Sequence, residues 1–234
     1  MKTIILAGGQ GSRISEETYK KPKPMVTIGN KPIIWHIMKI YSYYGFKEFI
    51  ICLGYKGKVI EEYFLKKPHD WSVKLVHTGK HTLTGGRLKR IKKYVRNEKS
   101  FFMTYGDGLA NINLKRLLDF HMKHKKLATM TVVNPPSRFG SVKMNKGKII
   151  NFQEKPVESP SINGGFFVLS PKTLDCIEGD ETSWEKNTLK KVVKRNQLMG
   201  FTHKGFFQPM DTLRDKKLLE NMWKKDKPPW KVWK

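Results

Sequence analysis

Lys2-Thr3-Ile4-Ile5-Leu6-Ala7-Gly8-Gly9-Gln10-Gly11-Ser12-Arg13 decides the fold of this chain. A short apolar run, Ile4 to Ala7, breaks at Gly8 into a glycine-rich loop that ends on an arginine. An uninterrupted aliphatic run of this length predicts a buried strand. Glycines let a phosphate approach the backbone and point successive amide hydrogens at it. Arg13 adds a charged fork for phosphate oxygens. The loop matches neither familiar fingerprint: Gly-Lys-Ser/Thr is missing, and the dinucleotide pattern needs glycine where Ile14 stands. A flexible turn is the alternative. The strand before the loop and Arg13 after it favour a phosphate cradle.

Working outward, the strand is followed by more of its kind. Pro32 stands at a first helical position, and Ile33, Ile34, Ile37, Met38, Ile40 and Tyr41 follow at near-helical spacing up to Gly45. Residues 49–53 predict a second strand, 58–65 a helix and 73–76 a third strand. A basic helix over 88–95 and a fourth strand over 101–105 come next. This alternation predicts a mainly parallel sheet with helices on both faces. The second half is richer in strands, at 127–133, 141–144, 148–152 and 165–169, with helices over 184–194 and 212–223. The expectation is an α/β fold, Rossmann-like, with a mainly parallel mixed sheet flanked by helices.

In such sheets ligands collect beyond the carboxyl ends of the strands. In Lys21-Pro22-Lys23-Pro24, each proline drives the lysine before it toward extended backbone, so both side chains project from a stiffened segment. A phosphate contact and an ordinary solvated loop are equally good readings of that pattern. The fourth strand ends in Tyr105-Gly106-Asp107-Gly108, where a carboxylate between glycines suits Mg²⁺ or a simple Asp-Gly turn. Asp211 precedes a helical pattern containing Leu213, Leu218 and Leu219, so a helix cap competes with a metal ligand there. His36 lies on an apolar helix face and reads as packed. His121 and His124 read as solvated helix residues.

Composition narrows the class. The chain has 234 residues and 38% hydrophobic content, enough for a core without staples. Its two cysteines, Cys52 and Cys176, are too few for a disulfide framework and point to a reducing compartment. No leading segment has the form of a signal peptide and no run approaches a membrane span, so a cytoplasmic protein without a membrane partner is expected. The net charge of +26 raises nucleic-acid binding as a rival reading. Against it, only eight of the 46 basic residues are Arg, and the lysines run from Lys2 to Lys234 rather than clustering. Solvated lysine-rich faces and no nucleic-acid partner are the expectation.

The opening LAGGQGSR followed by KPKPM resembles the signature of nucleotidyltransferases that make sugar nucleotides. The segments SEET, KPIIWHIMKIYS, FIICLGYKG, TGGRLKR, TYGDG, FQEKP, INGGFFVLSP and QPMDTLRDK, in that order, resemble the glucose-1-phosphate cytidylyltransferases. With KPPWKVWK at the end, the likeness covers nearly the whole chain. It implies the nucleotide-diphospho-sugar transferase fold as a single domain. Residues 1–125 would form the nucleotide-binding half and 126–234 the sugar-phosphate-binding half. It implies CTP and glucose 1-phosphate as substrates, CDP-glucose for deoxysugar and surface-polysaccharide synthesis as product, Mg²⁺ as cofactor and a homo-oligomer. The residues alone leave base and sugar open, including UTP or dTTP with another hexose 1-phosphate.

Residue by residue, the likeness places Leu6, Ala7, Gly8, Gly9 and Gln10, with Gly11, Ser12 and Arg13, along the CTP base and phosphates. Lys23 would contact phosphate and, with Arg13, carry much of the catalysis. Thr82 and Arg87 would help read the cytosine and hold the nucleotide, Gly106 would admit the nucleoside, and Asp107 with Asp211 would hold Mg²⁺. Glu154, Lys155, Asn163 and Gly164 would face the sugar phosphate. Without the likeness, Glu154-Lys155 reads as a surface ion pair and Asn163-Gly164-Gly165 as a turn. The chain departs from the family's pattern at Ser12, where threonine is usual, and at Phe207, where tryptophan is. It is also shorter over 65–77.

Overall fold

Ile4 and Ile5 are fully buried, yet they belong to two separate hydrophobic clusters. Successive side chains of a strand point to opposite faces, so this strand must be covered on both sides. The computed structural model describes all residues except 67–68, 135–139, 155–159, 226 and 234. In it β1 (Lys2–Leu6) lies inside a seven-stranded sheet with β2 (Glu48–Leu53), β3 (Ser72–His77), β4 (Phe101–Tyr105), β5 (Ala128–Val133), β6 (Ile162–Leu169) and β7 (Leu198–His203). The order across the sheet is β7-β5-β6-β4-β1-β2-β3. Only β6 runs antiparallel to its neighbours; the remaining pairings are parallel.

Helices α1 (Ile33–Tyr43), α2 (Gly57–Lys66), α4 (Leu114–His124) and α6 (Leu213–Lys224) cover the face of Ile5, Phe102 and Phe166. The face of Ile4, Phe101 and Phe167 carries α3 (Thr84–Arg90) and α5 (Leu189–Lys194). The mainly parallel, doubly covered sheet is the architecture expected. β1 runs on to β2 and β3 on one side, while β4 lies on its other side. The strand order therefore reverses between β1 and β4, where a crevice opens at the carboxyl ends. Both the glycine loop and Gly106-Asp107 emerge there.

Several local expectations are corrected. Asn163-Gly164-Gly165 is no turn: it lies inside β6, where the register against β5 shifts between Asn163 and Phe167. Gly165 has φ 76°, and a Cβ there would stand 2.9 Å from the Tyr105 ring. The basic helix divides at Ile91, and the segment 184–194 opens with a π-helical turn, Trp184–Thr188. β7 was not foreseen. His121 is buried, not solvated: its ring sits between Thr129 Oγ1 at 2.9 Å and Ser100 Oγ at 3.1 Å. Lys23 opens a 3₁₀ turn, Lys23–Met25, while the extended residue is Pro22. Among the described residues no helix is long and apolar enough to cross a membrane.

Candidate active site

Strand register brings the two aspartates together. Gly108–Ala110 pairs antiparallel with Phe207–Pro209, setting Gly108 opposite Pro209. The Met210 amide then donates to the Asp107 carbonyl at 2.9 Å. Gly106 packs on Pro24, where a Cβ would lie 2.8 Å from Pro24 Cγ, so glycine is what lets Asp107 approach the Lys23 turn. Lys23 Nζ donates to Asp107 Oδ2 at 2.5 Å and to Asp211 Oδ1 at 2.7 Å. Arg13 reaches over from the glycine loop and forks Asp211, Nη1 to Oδ2 at 2.9 Å and Nη2 to Oδ1 at 2.8 Å. Two cations and two carboxylates make a locally neutral cluster.

The Lys23 side chain is buried, which on its own would pull its ammonium's pKa down. The Asp107 and Asp211 carboxylates more than offset that, and the pKa ends above the ordinary lysine value. The cap question at Asp211 is settled by its neighbour. Thr212 is the N-cap of α6 and forms a capping box with Asp215, so the Asp211 carboxylate stays with Lys23 and Arg13. Asp107 and Asp211 both reach the single Lys23 nitrogen, so their oxygens can share one cation as well. Among the described residues no group of three or more His, Cys, Asp or Glu could hold a metal. A pair of carboxylates suits an ion that completes its shell with phosphate and water oxygens.

A cleft of about 580 Å³ joins this cluster to the glycine loop. Of the residues singled out from sequence, Leu6, Ala7, Gly8, Gly9, Gly11, Ser12, Arg13, Lys23, Gly106, Asp107, Asn163, Gly164 and Asp211 line it. A Cβ on Gly9 would meet nothing within 4 Å, so that stretch of backbone lies open to a ligand. Gly11 has φ 67° and starts the turn that carries Arg13. Gln10 is exposed beside the loop and does not line the cleft.

Arg87 and Thr82 stand behind the loop rather than in it. Arg87 is 4% exposed, and its guanidinium donates to the carbonyls of Gly8 (3.0 Å), Leu53 (3.1 Å) and Gly79 (2.7 Å) and to Thr78 Oγ1 (2.8 Å). A Cβ on Gly8 would lie 2.2 Å from this guanidinium, so the glycine makes room for it. Thr82 is buried between Gly79 and Gly86. Glu154 follows an exposed ribbon, Ser141–Asn145 with Lys148–Gln153, and does not line the cleft, and Lys155 lies outside the described residues.

Three residues of the cleft's other wall were missed in the sequence. Thr84, Tyr105 and Glu185 line it together with Asn163 and Phe207, both of which the sequence had marked. The Glu185 carboxylate accepts from Tyr105 Oη (2.7 Å), Thr84 Oγ1 (2.7 Å) and Ser183 Oγ (2.9 Å). Burial, and then the Glu185 charge, push the Tyr105 phenol well above its ordinary range, so it stays a donor. The one sequence signal was Ser183-Trp184-Glu185, whose helical reading hid a π-turn.

A family profile described as Nucleotidyl transferase matches residues 2–224. The glucose-1-phosphate cytidylyltransferase of Salmonella typhimurium is 50% identical to this chain, covering 100% of both. That alignment spans 256 positions against 234 residues, so this chain is the shorter by internal deletion. A probable glucose-1-phosphate cytidylyltransferase of Bacillus subtilis is 42% identical, again over 100% of both chains. Among solved structures, HddC from Yersinia pseudotuberculosis superposes with TM-score 0.77 at 24% identity, over 95% of this chain and 99% of that one, and shares the fold. The glycine loop, the cation–carboxylate cluster and these full-length likenesses agree, and the chain belongs to the nucleotidyl transferase family, in its glucose-1-phosphate cytidylyltransferase branch.

Proposed function

We propose that this chain transfers the cytidylyl group of CTP to glucose 1-phosphate, giving CDP-glucose and pyrophosphate. The observation that carries the reading is the Arg13–Asp211–Lys23–Asp107 cluster facing an open glycine loop in one cleft. A phosphate oxygen of the sugar phosphate forms a bond to the α-phosphorus as the bond to pyrophosphate breaks. The attacking phosphate is ionised near neutral pH, so no general base is required. Bringing two polyanions together is then a matter of charge and position.

Lys23 and Arg13 supply positive charge from side chains already fixed by carboxylates, and the amides beside Gly9 supply donors. Relatives of this family generally work with a divalent metal. We assign Mg²⁺ to Asp107 and Asp211, where it would neutralise phosphate charge. Residues 1–125 serve the nucleotide in this reading and 126–234 the sugar phosphate. A cytoplasmic homo-oligomer belongs to the same reading, and light scattering on the purified protein tests the oligomer.

The decisive experiment measures pyrophosphate release with CTP, UTP, GTP, ATP and dTTP against a panel of hexose 1-phosphates. Preference for CTP with glucose 1-phosphate is expected. A stronger preference for another pair would move the assignment within the family, and no release with any pair would end it.

A further inference from the structure

The wall formed by Glu185, Tyr105 and Asn163 is a hydrogen-bond relay whose direction is fixed at every step. The Gly165 amide donates to Asn163 Oδ1 at 2.8 Å, which sets the side-chain amide so that Nδ2 faces Tyr105 Oη at 3.3 Å. The phenol, already an acceptor there, donates to Glu185 Oε1. The other carboxylate oxygen is filled from two sides. Thr84 Oγ1 accepts from the Trp184 amide, and Ser183 Oγ accepts from the Lys186 amide, so both hydroxyl protons point to Glu185 Oε2.

Counting sites leaves a remainder. A carboxylate offers about four lone-pair positions, two per oxygen, and a side-chain amide two N–H donors. Among the described residues three carboxylate positions and one amide N–H are used, so one acceptor position on Glu185 Oε1 and one donor on Asn163 remain. Both residues line the cleft. An acceptor and a donor held on either side of the Tyr105 hydroxyl match two neighbouring ring hydroxyls, one donating and one accepting. Phosphate fits poorly, because a carboxylate repels it.

We infer that Glu185 and Tyr105, together with Asn163, read a pair of adjacent hydroxyl groups on a substrate ring, making Glu185 a specificity-determining residue and Tyr105 a positioning residue that aims it. The inference rests on the proposed transferase activity. Two rings carry such a pair, the hexose of the sugar phosphate and the ribose of the nucleotide, and the test separates them.

The test is a substrate–variant cycle on the full chain. The wild type, Glu185→Gln and Tyr105→Phe are assayed for kcat and KM with glucose 1-phosphate and its monodeoxy analogues. They are then assayed with CTP and its 2′-deoxy analogue. In wild type the deoxy analogue of the ring being read should lose about tenfold to a hundredfold in kcat/KM. In Glu185→Gln the intact substrate should fall by a similar factor while the deoxy analogue barely changes, so discrimination collapses. Tyr105→Phe should weaken discrimination less, with KM moving more than kcat. A collapse confined to the hexose arm, or to the ribose arm, names the ring.

Equal losses for intact and deoxy substrates in both arms, in a variant that melts like wild type, would leave Glu185 a structural residue and overturn the inference. The transferase reading would survive that result. Absence of turnover with any substrate pair in wild type would instead remove both.

Discussion

On the cleft side of the glycine loop, Lys23 holds its ammonium between Asp107 and Asp211. On the far side, Arg87 holds its guanidinium among the carbonyls of Gly8, Leu53 and Gly79 and the hydroxyl of Thr78. Both cations are buried, at 8% and 4% exposure, but their partners differ in kind. Lys23 is neutralised by formal charges, and its pKa is held above the ordinary value. Arg87 faces neutral dipoles, and burial draws its pKa below the ordinary value. A guanidinium with so high a starting pKa remains charged anyway.

The difference separates two jobs. A carboxylate partner can be exchanged for a phosphate oxygen or shared with a metal, so Lys23 is tied in a way a substrate can loosen. Arg87's partners are chiefly backbone carbonyls that set the shape of the loop itself. We read Arg87 as acting on the nucleotide through the loop it pegs.

Substitution breaks this comparison most sharply at Lys23. Lys23→Ala should lower kcat by about three powers of ten, the scale seen when a group stabilising transition-state charge is removed, with the fold retained. Near-normal turnover would refute the assignment. Arg87→Met should show the reverse emphasis. Three carbonyls lose a buried donor, and stability should fall by about 3 kcal/mol, read as a lowered Tm. A variant that melts like wild type while losing CTP affinity would place Arg87 directly on the nucleotide and erase the contrast. Asp107→Asn leaves Lys23 with Asp211 alone and removes half the charge facing the cation. The Mg²⁺ concentration for half-maximal rate should rise on the order of a hundredfold. An unchanged Mg²⁺ titration would count against Asp107 as a ligand.

The fold was legible because burial on both faces writes itself as continuous apolar runs, as at Ile4 to Ala7 and Phe49 to Leu53. β7 escaped because Leu198-Met199-Gly200-Phe201 sits at the sheet's edge, half exposed and interrupted by glycine. The charged end of the site was legible for a similar reason: glycine, proline and aspartate at strand ends are rare enough to mark a place. Whether Asp211 capped a helix was not, since Thr212 offers the same chemistry one residue later. Glu185 was invisible, because its meaning comes from Tyr105 and Thr84, which are distant in sequence and meet it only in the fold. His121 looked solvated on its own helix; β5, carrying Thr129, is what closes over it.

His36 supplies a third way to bury a base, and the smallest predicted effect. It is fully buried, packed edge-on against Trp35, Trp223 and Trp230, and has no carboxylate partner among the described residues. Burial pulls its pKa from 6.5 down to about 4, so it gives up the proton that Lys23 keeps. With Nε2 bonded to the Ile28 carbonyl at 3.0 Å, Nδ1 is the acceptor for Trp230 Nε1 at 3.4 Å. Protonation would set one N–H against another there. The unfolded chain binds this proton first, near pH 6.5, so stability is complete above that value and declines as pH falls toward about 4. The loss should reach about 2 kcal/mol by about pH 5. Tryptophan fluorescence should report it, because the rings around His36 separate as the C-terminal segment lets go. His121, also lowered to about 4 by burial, shares the window, so His36→Leu should flatten the acid slope in part and leave a remainder. A variant whose melting temperature tracks pH as steeply as wild type would show that His36 keeps its proton after all, and that burial without a carboxylate is not what sets Lys23 apart.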